Sequence, residues 1–307
     1  MNAFVILHYR AYDSTNRCVS SIKALEGDNH IVIVDNASPD GTGLLLREKY
    51  AGDERVSVLL GSENAGFARG NNFGVRFAWE KLRPDFMVVL NDDVEIEQRD
   101  FALRLPEIYK NQPFDLLGPD IVSVFSGIHQ NPKSLKHCSL DSTRKKLAYV
   151  RRSQNPILML LSSGQKNSPA IWRRVQRKKR ARQNIDSSVP ARDVMLHGAC
   201  VIFSKRYIER HPEPFFPGTF MYYEMEILDW LCRREGSVVL YDPSISLIHY
   251  QYVATKMEFR SIIKRSKFVA SCLGDSLLAA EELMERLELP QAEEERERTA
   301  GPALMDA

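Results

Sequence analysis

Four strand-length runs between Phe4 and Leu90 constrain this chain more than any other feature: Phe4-Val5-Ile6-Leu7, Ile31-Val32-Ile33-Val34, Val56-Ser57-Val58-Leu59-Leu60 and Met87-Val88-Val89-Leu90. Runs this apolar fit strands covered on both faces, and length favours strand over buried helix. Between them the pattern predicts helices over residues 14–25 and 42–50, and a third ending near residue 81. Strands alternating with helices of this length imply an α/β fold with a mostly parallel, right-handed, Rossmann-like central sheet flanked by helices.

Three of the runs end in polar loops: DNASPDGT from Asp35, NAGFARGNN from Asn64, and NDD at Asn91-Asp92-Asp93. In a parallel sheet these loops gather at the carboxyl ends of the strands, where open α/β sheets bind ligands. Two adjacent carboxylates there are costly unless something positive compensates them. Oxygen-only ligands at such a spot suit Mg²⁺ or Mn²⁺ shared with a diphosphate; the bland alternative is a solvated Asx turn. Asp35 is placed to accept hydrogen bonds from a base or ribose, or to close an Asx turn. Gly66 and Gly70 allow close backbone approach, and Arg69 at a helix entry favours phosphate oxygens. The loop is neither GxGxxG nor a P-loop.

A hydrophobic content of 44% with 27% charged residues is ordinary for a soluble globular protein. The net charge of +2 conceals an asymmetry: thirteen Lys or Arg and no acid lie between Arg144 and Arg182, leaving 29 basic against 40 acidic residues elsewhere. Five cysteines without CxxC spacing argue for a reducing compartment and against a disulfide frame or zinc site. The N-terminus enters a strand directly, unlike a signal peptide. The apolar run at Pro156–Leu161 is far short of the roughly 20 residues that span a bilayer. A cytoplasmic protein is expected, with peripheral attachment to the inner face of a membrane left open.

Past residue 101 the pattern loosens. A strand is expected at 116–122, then the basic segment, with helices at 145–152 and 171–182. That segment is either a solvated, partly disordered insertion or a basic amphipathic element for anionic lipid. Nucleic acid ranks lowest, because RNP-type motifs and stacking aromatics are absent. His197-Gly198 followed by an apolar strand points to chain passing under a pocket. An aromatic stretch, 214–223, runs into Glu224-Met225-Glu226 at the start of a helix reaching about residue 234. Carboxylates there complement the helix dipole, or, walled by Phe and Tyr, one has a raised pKa and serves as general base. Further strands are expected at 237–241 and 245–248, then an acidic helix from 281 with a frayed tail.

VDNASPDGT, NAGFARGNNFG, LNDDV, HGAC, FFPGTFMYYEMEIL and DPSISLIHY, in this order, resemble the family-2 inverting glycosyltransferases, most of all the rhamnosyltransferase-like members of bacterial polysaccharide synthesis. The resemblance covers roughly residues 4–250, interrupted by the basic segment. It implies a GT-A fold in a single domain, 1–280. Within it, 1–125 is the nucleotide-sugar half, 131–190 a basic insertion and 191–255 the acceptor half, with an acidic helix or tail at 281–307. It implies transfer from dTDP-rhamnose or another nucleotide-sugar to a saccharide or lipid-linked acceptor, assisted by Mg²⁺ or Mn²⁺. Asp35 would hold the base; Asn64, Gly66, Arg69 and Asn71 the nucleotide-sugar; Asp92 the ribose or donor sugar. Asp93 would bind metal, completed by His249, while His197 would line the substrate pocket. Glu224 is the favoured base and Glu226 the runner-up. The family's acidic cluster is broken here by Met225, which keeps a non-catalytic nucleotide-sugar binder or scaffold in play.

Overall fold

The computed structural model describes residues 1–153, 169–251 and 262–299; the run at 156–161 and the last eight residues lie outside them. Strands β1 (Asn2–His8), β2 (Asn29–Asp35), β3 (Val56–Leu60) and β4 (Phe86–Asn91) pair in parallel in the order β3-β2-β1-β4. The intervening helices are α1 (Tyr12–Lys23), α2 (Thr42–Lys49) and α3 (Gly66–Leu82). After β5 (Val94–Glu95), α4 (Phe101–Asn111) and β6 (Leu116–Ser123) come α5 (Leu140–Ser153) and α6 (Pro169–Ala181). The remaining elements are β7 (Ala191–Arg192), β8 (Cys200–Ser204), α7 (Lys205–Arg210), α8 (Glu224–Glu235), β9 (Val239–His249) and α9 (Ile262–Thr299). Strand β8 joins β4 antiparallel, and the sheet continues through β6 and β9 to β5.

The apolar runs are explained by two cores, one on each face of the sheet. Phe4, Ile6, Ile31, Ile33, Val88 and Leu90 pack with residues of α1, α2 and α4. Their alternates Ala3, Val5, Val32, Val34, Met87 and Val89 pack with α3, α7 and α8. The period-2 alternation of a strand thus feeds both cores, and neither face can be polar.

A third core joins Leu147 and Val150 of α5 to Leu277, Ala280, Leu283 and Met284 of α9, over Tyr223 and Ile227. Helix α8 is therefore sandwiched, sending Met225, Leu228 and Cys232 towards the sheet and Ile227 towards α9.

Three expectations change. The two strands expected at 237–241 and 245–248 are one strand, β9, that absorbs Asp242-Pro243 as a register shift opposite Pro119/Asp120; a bulge tolerates a proline lacking its N–H. The C-terminal helix begins at Ile262, not 281, and its apolar face runs unbroken across residue 280. The described part of the basic segment is folded: Arg144 pairs with Glu281 (2.9 Å) and Glu285, and Arg173 donates to Ser126 O (2.6 Å). Arg180 donates to Pro132 O (2.9 Å) and Asn131 O (3.2 Å). Among the described residues no helix is long and apolar enough to cross a membrane.

Candidate active site

The parallel order of β1 to β4 brings their carboxyl ends to one edge, and side-chain bonds stitch the loops together there. Asn36 Nδ2 donates to Asn64 Oδ1 (2.9 Å) and Gly66 O (3.1 Å), while Asn36 Oδ1 accepts from Ala65 N (3.0 Å). Buried Asp35 accepts from Ser38 N at 3.1 and 3.3 Å, closing the Asx turn. A Cβ on Gly43 would lie 2.1 Å from Asp35 Oδ2, so the start of α2 approaches the carboxylate as only glycine permits. His8, at the end of β1, sits between Thr15 (2.7 Å) and Thr42 (2.9 Å), with Nε2 4.0 Å from Asp35.

The second loop is fastened to the aromatic stretch before α8. Gly66 has φ +77°, and a Cβ there would fall 2.1 Å from Phe220 O, the atom that accepts from Phe67 N (2.7 Å). Arg69 Nε donates to Pro217 O (2.9 Å), and Asn72 exchanges two bonds with the Phe215 backbone (2.6 and 3.0 Å). Asn71 donates to Phe67 O (2.9 Å), but among the described residues its buried Oδ1 has no partner. The segment that delivers the α8 carboxylates is thus hydrogen-bonded directly to the N-terminal turns of α3.

The third loop places Asp92 and Asp93 at the end of β4, both buried. Burial and the neighbouring Asp93 carboxylate push Asp92 well above the ordinary range, against a hydrogen bond from the Tyr9 backbone. Antiparallel pairing of Val94 with His249 and the bond from Tyr250 N to Asp93 O (2.9 Å) set His249 beside Asp93. His249 Nδ1 faces Gln130 Oε1 at 2.7 Å. With its one proton on Nδ1 the ring turns an Nε2 lone pair towards Asp93 Oδ1, 3.2 Å away; protonated on both nitrogens it forms an ion pair with that carboxylate. Asp93 Oδ1 is buried and makes no hydrogen bond among the described residues. With Nε2 unprotonated, the imidazole and the carboxylate are two electron-pair donors facing each other in a buried site, a pair that fits a cation. The described residues hold no cluster of three or more His, Cys, Asp or Glu, so a metal here would take these two and complete its shell from substrate and water.

His197 links this edge to α8. Its ring lies 5.7 Å from that of His249, edge to face, and its Nδ1 accepts from Ala199 N (3.1 Å). Burial and then the His249 and Lys133 charges hold it well below its ordinary pKa. Asn131, fully buried, fixes the loop by accepting from His197 N (2.7 Å).

Glu224 and Glu226 share the first turn of α8 but have opposite surroundings. Glu224 is buried, and desolvation pushes it up to about 7 despite hydrogen bonds from its own backbone and from Thr219. Among the described residues its Oε1 has no partner. Burial also opposes the charge of Glu226, but Lys133 (2.8 Å) and Lys146 (3.4 Å) outweigh it and hold the group at about 2. Tyr222 and Tyr223, just before Glu224, have φ +72° and +76°. Bulky residues in that region cost about 1–3 kcal/mol each, and such strain clusters at functional sites. Met225 is spent on packing in the second core and touches the Gly198 step.

The edge therefore gathers Asp35, Asn64, Gly66, Arg69 and Asn71 on one side and Asp92, Asp93 and His249 on the other, with His197 leading to Glu224 and Glu226. Sequence reasoning missed Asn36, Gln130, Asn131 and Lys133. Asn36 lay inside a motif already singled out; the other three carry no local signal.

Residues 3–228 match the model of the family described as Glycosyl transferase family 2. A low-salt glycan biosynthesis hexosyltransferase, Agl10 of Haloferax volcanii, is 26% identical over 121 residues, 39% of this chain and 36% of that protein. The match thus spans little more than a third of the relative's length. The structure of residues 1–349 of TarS from S. aureus superposes with a TM-score of 0.51 at 11% identity, covering 81% of this chain and 60% of that one. GalNAc-T7, solved with UDP, GalNAc and Mn²⁺, gives 0.52 at 13% identity, covering 83% and 44%. At these identities the two structures share the GT-A-like architecture.

Proposed function

The chain belongs to glycosyl transferase family 2, and from that premise we propose that it moves a hexose from a nucleotide-sugar to an acceptor hydroxyl in one inverting displacement, with Glu224 as the base. The single observation that carries the role of Glu224 is its buried, unpartnered Oε1 on a carboxyl pushed to about 7. A general base works best with its pKa near the operating pH. Glu226, held at about 2 by two lysines, is a weak base and serves better as a fixed counter-charge.

Glu224 takes the proton from the acceptor hydroxyl as its oxygen attacks the anomeric carbon. The bond from that carbon to the diphosphate oxygen breaks on the opposite face, and the leaving nucleoside diphosphate carries the electron pair. Asp35 and Asn64 hold the nucleoside side of the donor, with the N-terminal turns of α3 and Arg69 turned to its phosphates. Asn71, whose buried Oδ1 is unpartnered among the described residues, and buried Asp92 orient the ribose or donor sugar, and His197 closes the pocket towards α8. Asp93 and His249 would hold Mg²⁺ or Mn²⁺, which when bound would neutralise charge on the diphosphate. Base catalysis accounts for about 10²–10⁴-fold of the acceleration, with positioning in addition.

Among donors, the resemblance to rhamnosyltransferase-like members points to dTDP-rhamnose, with UDP- and GDP-sugars open. A saccharide or lipid-linked acceptor fits the basic face, where Tyr149, Ile171 and Val175 are exposed among lysines and arginines of α5 and α6. That face supports peripheral contact with anionic lipid. The test is turnover of dTDP-, UDP- and GDP-sugars with Mn²⁺, Mg²⁺ or EDTA. Metal-dependent release of one nucleoside diphosphate, lost in Asp93→Ala, is expected. Tight donor binding without turnover under any acceptor would instead favour a non-catalytic binder, the reading to which Met225 lends weight.

A further inference from the structure

Beside the first turn of α8 lies a cavity of about 180 Å³ that the displacement chemistry leaves unused. Lys133, Lys146 and Lys179 line it, with Ser134, His137 and Ser142. Glu226 is bonded to two of these lysines, Lys133 and Lys146. The other acid on this side of α8, Asp229, is spent on His137 Nδ1 and Cys138 N, both at 2.9 Å. No carboxylate among the described residues lies within ion-pair distance of Lys179. Three ammonium groups therefore share one carboxylate. Helix α6, which carries Lys179, is held in place by Arg173 and Arg180 on backbone carbonyls of the 126–132 loop, so the cluster is built rather than incidental.

A cleft with an excess of about two positive charges concentrates an anion of matching charge, and a phosphomonoester carries about −1.5 to −2 at pH 7. Tyr223 and Glu226, on either side of Glu224 in the chain, both line the cavity. We propose that this cavity is a subsite for a phosphoryl group carried by the acceptor. Lys133, Lys146 and Lys179 hold a phosphate or diphosphate ester while a hydroxyl elsewhere on the same molecule is presented to Glu224. The inference rests on the transferase reading of α8.

The full chain is first titrated with UDP, GDP and dTDP in the presence of Mg²⁺; no binding of any would overturn the transferase reading itself. With the best of them saturating the donor site, inorganic phosphate is titrated by calorimetry. Phosphate should bind to the ternary protein, Lys179→Gln should raise its Kd tenfold or more, and Lys179→Arg should restore it to within threefold. Lys179 is exposed and, among the described residues, has no ion-pair partner, so the variant is expected to fold. No phosphate binding beside bound nucleotide, or a Kd indifferent to Lys179→Gln, would overturn the subsite alone. The same titration with a short-chain polyprenyl diphosphate and with a hexose 1-phosphate separates the sources. Lys179-dependent binding of either supports the subsite and names its ligand; binding of neither overturns it.

Discussion

Glu224→Gln is expected to make the protein more stable and far less active, with a pH signature that a passive residue would not give. Burial raises Glu224 from an ordinary value of 4.5 to about 7. Since each pKa unit corresponds to ~1.36 kcal/mol, ionising it in the folded protein carries a penalty of about 3 kcal/mol. The native state binds the extra proton, so stability falls as pH rises from about 4.5 through 7 and levels off above. Glutamine fills the same space without titrating. The variant should thus equal the parent near pH 4 and exceed it by up to about 3 kcal/mol at pH 8, roughly 5 °C in Tm. Thermal unfolding at both pH values, beside the rate of sugar transfer at pH 7.5, is the assay. The rate should fall by about 10²–10⁴-fold with donor binding retained. In the parent, kcat should rise with pH through about 7. A stability difference that is the same at pH 4 and pH 8 would refute the buried-acid argument, and full transfer by the variant would refute the base.

Asp93→Asn should weaken Mn²⁺ binding, followed by electron paramagnetic resonance, more than tenfold. Gln130→Ala should weaken it by about 10–100-fold by freeing the His249 ring, a typical cost of losing an outer-shell partner; unchanged Mn²⁺ affinity in both would sink the metal assignment. Lys133→Ala should cost about 1–2 kcal/mol in urea unfolding at pH 7 by leaving Glu226 under-compensated. Glu226 is depressed to about 2, so its contribution is complete above 4.5 and fades as pH falls through 2. The Lys133→Ala defect should therefore shrink near pH 3. Gly66→Ala should cost about 2 kcal/mol or more, since its φ of +77° penalises a side chain and the new Cβ would displace Phe220 O; a difference under 0.5 kcal/mol would contradict the close approach.

The sequence made the N-terminal half of the fold legible because its sheet is covered on both faces. Strands such as Ile31–Val34 must then be apolar throughout, and the polar loops after them stand out as interruptions. Asp93 and Glu224 were visible for the same reason, as carboxylates attached to apolar or aromatic walls. What stayed hidden was long-range pairing. Lys133 meets Glu226 across 93 positions, and Arg144 meets Glu281 across 137, so a segment that reads as uniformly basic is in part neutralised by acids far along the chain. Gln130 and Asn131 act through single hydrogen bonds to His249 and His197, which no periodicity reports. The continuity of β9 through Asp242-Pro243 depends on its register with β6, a property of the pair and not of either strand alone.

That Glu224 delivers an acceptor oxygen to the anomeric carbon in one displacement is tested most directly by proton NMR of the glycoside formed from the donor that turns over. The new linkage should have the anomeric configuration opposite to that of the donor, and Glu224→Gln should not form it. Retention of configuration, or undiminished product from Glu224→Gln, would contradict that mechanism.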